Sequence, residues 1–420
     1  MIRKNYTYVI GIFFEALTAL RDNRLRSILS IFGMAVGVAA IIAVSAISSG
    51  GHYLVFNELK TFGLESLWVF RQKNDKDPNK ALRKGSGIDE TDYQLIRQGC
   101  CDKVKHVTPL VYSQGRRVIV RRGDSYSNAE IRGVGVDYFQ INNDQLVDGR
   151  YFTLSDELRN RGIAIIGPIA RNDLFPPYAT VVGEHIRIQG KKVMVIGVLR
   201  EKSRDFLASI GSTGGRDVNN RILVPYTYLQ MLKGKDQAKA IDGLQGEAVS
   251  LEAAEEAVGQ IESLLQRNHS GRFNYRHETM AQYIETANRI LGGVSIIGLV
   301  AAFVSLLVGG MGVMNIMSTS VLERTREIGL RRSIGARKSD ILSQFLMEAM
   351  MIGLIGGGIG LVVGIGASFV LSWLTNFPLQ PTWLMVTVAL CVSISVGLLS
   401  GLAPAIRAAN LRPVVALRYE

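Results

Sequence analysis

Catalysis by this chain would require nucleophiles, metal ligands or phosphate-binding loops at characteristic spacings, and the sequence contains none of those patterns. There is no glycine-rich loop ending in Lys-Ser or Lys-Thr, which would cradle nucleotide phosphates, and no HExxH or GxSxG motif. The five histidines lack metal-ligand spacing; they are His52, His106, His185, His269 and His277. We therefore expect no catalytic residue and no metal site, and we expect any chemistry that drives this protein to occur in another chain.

A short charged segment between two apolar runs has the most distinctive local pattern. In residues 323–341, charged side chains alternate with isoleucine and leucine, and Gly335 interrupts the pattern. This predicts a short amphipathic helix, a glycine break and the approach to the next apolar run. Such a helix could lie on anionic lipid, or it could dock in a groove of a partner protein. Its residues are Glu323, Arg324, Thr325, Arg326, Glu327, Ile328, Gly329, Leu330, Arg331, Arg332 and Gly335.

Four apolar runs must position this segment. The first, 28–47, lies in a charge-free interval long enough to cross a bilayer as a helix. A second lies within 290–322, and the charge-free interval 349–406 holds two more, separated by a break at 376–381. Because a signal-peptide core is shorter and lies closer to the charged start, we interpret the first run as a retained anchor. The sequence thus predicts four transmembrane helices.

Basic residues are concentrated beside these runs. The arm before the first run, the loop 318–345 and the tail 407–420 together carry +8 of the formal net charge of +12. Because Lys and Arg close to a span are retained on the cytoplasmic side, we expect the loop and both termini to be cytoplasmic. The basic balance is then a topology signal, and we expect no nucleic-acid partner. The predicted divisions are 1–51, the arm and first helix; 52–289, an extracytoplasmic domain; and 290–420, the remaining helices.

The segment 52–289 has the pattern of an α+β domain. Alternating, β-branched stretches predict strands at 117–120, 163–166, 184–188, 192–198 and 221–224. Helical spacing predicts helices at 89–97 with Asp89 as N-cap, at 251–266 and at 280–289. A glycine-rich loop is expected at 209–215. The predicted fold is an α-helical membrane protein with four transmembrane helices and a large α+β extracytoplasmic domain inserted between helices 1 and 2.

Three cysteines in 420 residues do not form a disulfide framework. Cys100 and Cys101 are adjacent, so the sequence allows only a strained vicinal bridge or two ordinary small side chains. The second interpretation is favoured.

A few residues in the apolar runs invite a specific interpretation. Asn315 could hydrogen-bond another helix or simply pack in the interior, and Glu348 could pair with loop arginines or extend to the lipid headgroups. Glycines recur at four-residue spacing in the first and third runs, at Gly33, Gly37, Gly356, Gly360 and Gly364. Small residues at this interval let helices approach closely, either within one subunit or at a dimer seam.

Taken together, these motifs resemble the MacB-type ABC transporter permeases, a family that also includes the lipoprotein-release permeases and FtsX. In the membrane part, the similar segments are 23–29, 33–37, 309–317, 323–329, 335–336 and 411–418. In the extracytoplasmic part, they are 133–134, 137–139, 149–152, 173–175, 195–198 and 224–225, in the same order as in the family. Two departures are the missing ATPase domain ahead of the first helix, which MacB carries, and the Cys100-Cys101 pair.

The resemblance implies a non-catalytic permease of the bacterial inner membrane. It implies two permease chains, expected to be two copies of this chain with a mixed pair left open, and two subunits of a separate ABC ATPase that bind ATP and Mg²⁺. The charged helix would couple the permeases to the ATPase by mechanotransmission. An exporter of a peptide, antibiotic or similar substrate could add a periplasmic adaptor and an outer-membrane channel. The alternatives are an FtsX-like subunit that regulates a cell-wall hydrolase, a lipoprotein-release permease and, less favoured, a membrane-anchored enzyme.

Overall fold

The computed structural model describes residues 24–72, 87–202, 218–233, 240–375 and 377–416, with side chains except at 24–27, 114–116 and 375. Within the chain there are two compact units, one of Val55–Ala287 and one of Met1–Leu54 with Asn288–Glu420. The glycine-rich loop predicted at 209–215, most of the N-terminal arm and the end of the tail lie outside the described residues.

The helices are α1 (Arg24–Lys60), α2 (Glu90–Leu95), α3 (Tyr138–Ile141), α4 (Leu154–Leu158), α5 (Pro168–Leu174), α6 (Tyr226–Lys233), α7 (Ala254–Asn268), α8 (Met280–Glu323), α9 (Thr325–Ser333), α10 (Lys338–Thr375), α11 (Trp383–Ala409) and α12 (Pro413–Ala416). The strands are β1 (Ser66–Arg71), β2 (Val104–Arg122), β3 (Ser125–Val134), β4 (Leu146–Gly149), β5 (Ile163–Ile166), β6 (His185–Ile188), β7 (Lys191–Leu199), β8 (Arg221–Pro225), β9 (Gly243–Ala248) and β10 (Tyr275–Thr279).

In the described residues, four helices are long and apolar enough to cross a membrane, as the sequence predicts; they are Ile28–Lys60, Met280–Glu323, Lys338–Leu374 and Trp383–Ala409. Three of them are longer than the apolar runs alone indicate, and one of these is α10, which begins at Lys338, ahead of the charge-free interval 349–406. The first helix continues to Lys60, with Val55 and Leu59 buried one helical turn apart. The helix predicted at 280–289 and the second run form the single helix α8.

We call Val55–Ala287 the sheet unit, because its described residues form one ten-stranded mixed sheet. The strand order is β10-β1-β9-β2-β3-β8-β5-β7-β4, and β6 pairs with both β2 and β7. The strands predicted at 163–166, 184–188, 192–198 and 221–224 correspond to β5 to β8, and 117–120 is the end of the long strand β2. Strands β1, β3, β4, β9 and β10 were not predicted. The α+β class is confirmed.

Local capping agrees with the sequence at the start of α2. The Asp89 carboxylate accepts hydrogen bonds from the backbone N–H groups of Thr91 (2.9 Å) and Asp92 (3.1 Å). In return, the Asp92 carboxylate accepts from the Asp89 N–H at 2.9 Å, which completes a capping box. Helix α2 ends earlier than predicted, in a π-helical turn where Gly99 has φ +92°.

In the unit of Met1–Leu54 with Asn288–Glu420, which we call the membrane-type unit, helices meet at small residues. A methyl group added at Gly33 would lie 3.0 Å from the Cα of Gly309, so α1 and α8 cross in backbone contact. Helix α10 meets α11 in the same manner, and Ser393 Oγ donates to the Gly353 carbonyl at 2.8 Å. Close approach through glycine and serine is the usual packing of helices in lipid.

Candidate coupling site

The charged segment predicted from the sequence forms α9, a separate helix between α8 and α10. Arg324 breaks the preceding helix with φ −98° and ψ 14°. At the other end, Gly335 has φ +106°, a conformation that favours glycine. The Gly335 N–H donates to the Arg332 carbonyl (3.3 Å) and the Ala336 N–H to the Arg331 carbonyl (3.1 Å). This is a Schellman C-cap, so the glycine break has the geometry needed to turn the chain into α10.

One face of α9 is anchored in an apolar cluster. Thr325, Ile328 and Gly329 are buried. The Ile328 side chain belongs to the same buried cluster as Met317 of α8, Phe345 of α10 and Ala408 of α11. Contacts of this kind make the short helix part of the body formed by the ends of the three long helices.

Three arginines at the edges of this face form hydrogen bonds to neighbouring helices. The Arg324 Nη1 donates to Glu348 Oε1 at 3.1 Å, and Glu348 is only 2% exposed. Arg332 Nη1 donates to the backbone carbonyls of Ala409 (2.9 Å) and Leu411 (2.8 Å) beyond α11. Arg331 Nη1 donates to Gln344 Oε1 of α10 at 2.9 Å. These bonds tie α9 to α10 and to the end of α11.

The opposite face of α9 combines charge with exposed apolar area. Arg326 and Glu327 are exposed, Leu330 is 57% exposed and, just beyond the helix, Ile334 is 81% exposed. The alternation in the sequence does not separate these two apolar residues from the buried Ile328 and Ile341. The outward side of α9 therefore presents both apolar and charged side chains.

Helix α12 adds exposed apolar side chains next to α9, and the sequence did not indicate it as part of the candidate site. It packs against α9 and exposes Val414 and Val415. The signal in the sequence is the segment 411–418, which contains α12 and also carries part of the family resemblance.

The remaining sequence-predicted residues lie elsewhere in the unit. Asn315 is exposed on α8, and in the described part of the chain its side chain makes no hydrogen bond. Four of the singled-out glycines lie against other helices of the same chain. An added methyl group would come within 2.6 Å of Leu306 Cγ at Gly37, 3.0 Å of Met34 Cβ at Gly356, 2.6 Å of the Ala35 carbonyl oxygen at Gly360 and 2.9 Å of Ile42 Cβ at Gly364.

The three cysteines are free thiols. Cys100 and Cys101 are both free, with 3.4 Å between their sulfur atoms. Burial, with a hydrogen bond to Cys100, raises the pKa of the Cys101 thiol to about 12, so that thiol is protonated and unreactive at neutral pH.

Two family models match most of the chain. The MacB-like periplasmic core domain matches residues 27–263, and the FtsX-like permease C-terminal domain matches residues 299–413. The second match contains α9 and ends at the first residue of α12.

Curated relatives agree with both matches. The pyoverdine export ATP-binding/permease protein PvdT of Pseudomonas savastanoi pv. phaseolicola is 35% identical over 95% of this chain and 58% of its own length. The macrolide export ATP-binding/permease protein MacB of Chromobacterium violaceum is 33% identical over 96% of this chain and 60% of its own. A solved structure, the periplasmic region of MacB from Actinobacillus actinomycetemcomitans, is 16% identical with a TM-score of 0.42, over 56% of this chain and 97% of that one.

The chain spans about three fifths of the length of these curated relatives. The two family models cover a periplasmic-type domain and the permease helices, and the described residues contain the four helices that such a permease requires. This chain belongs to the MacB-type family of ABC transporter permeases.

Proposed function

We propose that this chain is the membrane subunit of an ABC exporter, and that α9 receives the movement of a separate ATPase subunit. ATP and Mg²⁺ would be bound by that ATPase, and this chain would contribute no catalytic group. The observation that carries the proposal is the two-faced nature of α9, with Ile328 buried among the long helices and Leu330 exposed on the other side. A helix whose buried face is fixed to the long helices, and whose exposed face carries an apolar side chain for a partner, is suited to transmit force.

The wider assembly is part of the same proposal. Two copies of this chain would place α9 and both termini in the cytoplasm of a bacterium, with the domain between the first and second transmembrane helices on the outer side of the inner membrane. ATPase closure would then change the shape of the outer domains, and a periplasmic adaptor and an outer-membrane channel would complete the export route. The basic residues beside the helices support this orientation.

The substrate class proposed is a peptide, antibiotic or similar small molecule. Support comes from the relatives, whose names describe pyoverdine export and macrolide export. The same names favour export over regulation of a cell-wall hydrolase and over lipoprotein release.

The experiment begins with purification of this chain from its native membrane in mild detergent, with identification of the co-purifying proteins. Wild-type protein should retain a Walker-motif ATPase, and the absence of any ATPase would refute the proposed function. Leu330→Asp should reduce ATPase retention by about 30-fold, as expected for a central interface residue. Leu158→Asp is the matched control, because Leu158 is an exposed leucine on α4 of the sheet unit.

Two further variants separate docking from folding. Glu323→Lys, at the start of the charged segment, should uncouple ATP hydrolysis from transport while the protein still inserts in the membrane. Ile328→Asp would instead place a carboxylate in the buried cluster, so its loss of function would report on packing. Retention of the ATPase by Leu330→Asp would show that α9 is not the docking element.

A further inference from the structure

A row of basic side chains crosses the sheet unit at the end of β2. Arg121 of β2 lies directly opposite Arg187 of β6, and Arg187 lies directly opposite Lys192 of β7. On its other side, Arg121 is paired with Tyr126 of β3. All four side chains are exposed, so the row Tyr126, Arg121, Arg187 and Lys192 forms one continuous line across four neighbouring strands. We call this line and its exposed neighbours the basic face.

Folding alone does not account for the basic face. Like charges directly opposite each other on adjacent strands destabilise a sheet. In the described part of the chain, none of Arg121, Arg187 and Lys192 forms an ion pair. The nearby carboxylate of Glu184 is engaged by Arg122 at 3.1 Å, on the other face of β2. The three charges therefore repel each other without an ion-pair partner among the described residues of this unit.

Apolar side chains flank the charges on the same side of the sheet. Ile119, two residues before Arg121, is 53% exposed, and Met194, two residues after Lys192, is 36% exposed. Tyr126 at the end of the row is 65% exposed. Arginine, tyrosine and methionine are the residue types enriched in protein–protein interfaces.

The basic face is preformed. Behind it, Val120, Ile186, Ile188 and Val193 point to the other side and belong to the buried core of the unit. The β6–β7 hairpin closes through Gln189 and Gly190, both with positive φ, which fixes the register that sets Arg187 opposite Lys192. A rigid surface loses little conformational entropy when a partner binds.

We propose that the basic face binds an acidic segment of a second protein. Neighbouring strands are about 4.8 Å apart, so the three cations extend over about 10 Å, which suits several carboxylates of one segment better than a single small anion. The flanking Ile119, Tyr126 and Met194 would contact apolar groups of that segment, and a small inorganic anion would leave them unused. This inference goes beyond the proposed function, and its failure would leave the α9 experiments unaffected.

The test uses the full chain in nanodiscs of neutral phosphatidylcholine and a short glutamate-rich synthetic peptide that contains one tryptophan. The triple variant Arg121→Ala, Arg187→Ala, Lys192→Ala should bind the peptide about tenfold more weakly, because each exposed charge pair contributes a factor of about two to three. The control triple Arg159→Ala, Arg200→Ala, Arg267→Ala removes the same charge from exposed positions elsewhere in the unit and should bind as wild type does.

Two additional measurements complete the test. The first triple variant should have a melting temperature equal to or above that of wild type, since it removes like-charge repulsion, and Tyr126→Ser should weaken peptide binding without any change in charge. Equal weakening in both triple variants would overturn the proposal by reducing it to net charge. Binding of phosphatidylglycerol vesicles, with no binding of the peptide, would overturn it in favour of a lipid surface.

Discussion

The two units of this chain are packed by different means. In the sheet unit, aliphatic and aromatic side chains fill the interior, and buried charges are held by each other, as Asp144 is by Arg221 and Lys202. In the membrane-type unit, helices meet at glycine and serine, while large side chains such as Phe303 and Trp373 face outward. Burial of apolar area stabilises a fold in water. In lipid, a helix gains little when contacts with lipid tails are replaced by contacts with leucine side chains of another helix, because both are equally apolar. The same kind of substitution should therefore have different consequences in the two units.

Removal of a buried charge should have the largest effect, in the sheet unit. Asp144 Oδ1 lies 2.7 Å from both Arg221 Nη2 and Lys202 Nζ. Asp144→Ala would leave two buried cations without their anion and should lower the free energy of unfolding by about 4 kcal/mol. Hydrogen exchange of β5 and β8 in the full chain, followed by mass spectrometry, measures this loss. Asp148→Ala, at an exposed carboxylate of β4, is the control, and equal protection in the two variants would contradict the prediction.

Added volume should have the next largest effect, in the membrane-type unit. At Gly360, even a methyl group would lie 2.6 Å from the Ala35 carbonyl oxygen and 2.7 Å from Val38 Cβ. Gly360→Leu should separate α10 from α1, destabilise the unit by about 3 kcal/mol and disturb assembly or ATPase coupling. Gly358→Leu is the matched control, because an added Cβ at Gly358 meets nothing within 4 Å. Equal thermal stability of the two variants in detergent would show that the glycine contact is not required.

Sequence reasoning worked best where one local rule decides the structure. Charge-free length predicted the four long helices, and alternation of β-branched residues predicted β5 to β8. Strands such as β9, with the sequence GLQGEA, and β10, with YRHET, lack that alternation. These segments become strands because they pair with β1, and such pairing depends on residues far away in the chain.

In the candidate site, too, some features follow from local residue type and others depend on residues far away in the chain. Gly335 as a helix stop and the contact of Glu348 with a loop arginine were accessible from residue type and position, although the sequence left the second as one of two alternatives. The sequence could not separate the buried Ile328 from the exposed Leu330, because the buried cluster that contains Ile328 is formed with residues of four other helices. Nor could it predict that Arg332 donates to backbone carbonyls at the end of α11, some 77 residues away.

A charge substitution can also be made in the membrane-type unit, at the pair of Arg324 and Glu348. Glu348→Gln keeps the shape of the side chain but removes the negative charge from a buried position 3.1 Å from Arg324 Nη1. We expect a loss of about 2 kcal/mol, less than at Asp144, because Arg324 retains access to solvent. Glu327→Gln, in an exposed pair with Arg331, should cost about 0.3 kcal/mol. Thermal unfolding in detergent measures both, and a larger loss for Glu327→Gln would contradict the assignment of Glu348 as a fastening of α9.

The smallest predicted effect depends on pH and belongs to the sheet unit. Burial alone would raise the pKa of Asp156, but hydrogen bonds from Arg150 (2.7 Å) and from the Thr153 hydroxyl (2.7 Å) and N–H (3.1 Å) outweigh it and hold the pKa well below its usual value. Because the folded-state pKa lies below the unfolded-state value of about 4, the contribution to stability is complete above that pH and is lost as the pH falls towards the folded-state pKa.

Asp156→Asn should therefore destabilise the sheet unit by about 1.5 kcal/mol at neutral pH, through the loss of a charged partner in the cap of α4. The difference from wild type should shrink as the pH falls below about 4, because Asp156 takes up a proton in the unfolded wild-type chain there while it stays charged in the folded chain. Asp340→Asn, at an exposed cap of α10, is the control and should change stability by about 0.5 kcal/mol. A wild-type advantage over Asp156→Asn that stays constant down to acidic pH would show that the geometry of the cap, and not the carboxylate charge, stabilises α4. Asp156 would then not count among the buried charges that stabilise the sheet unit.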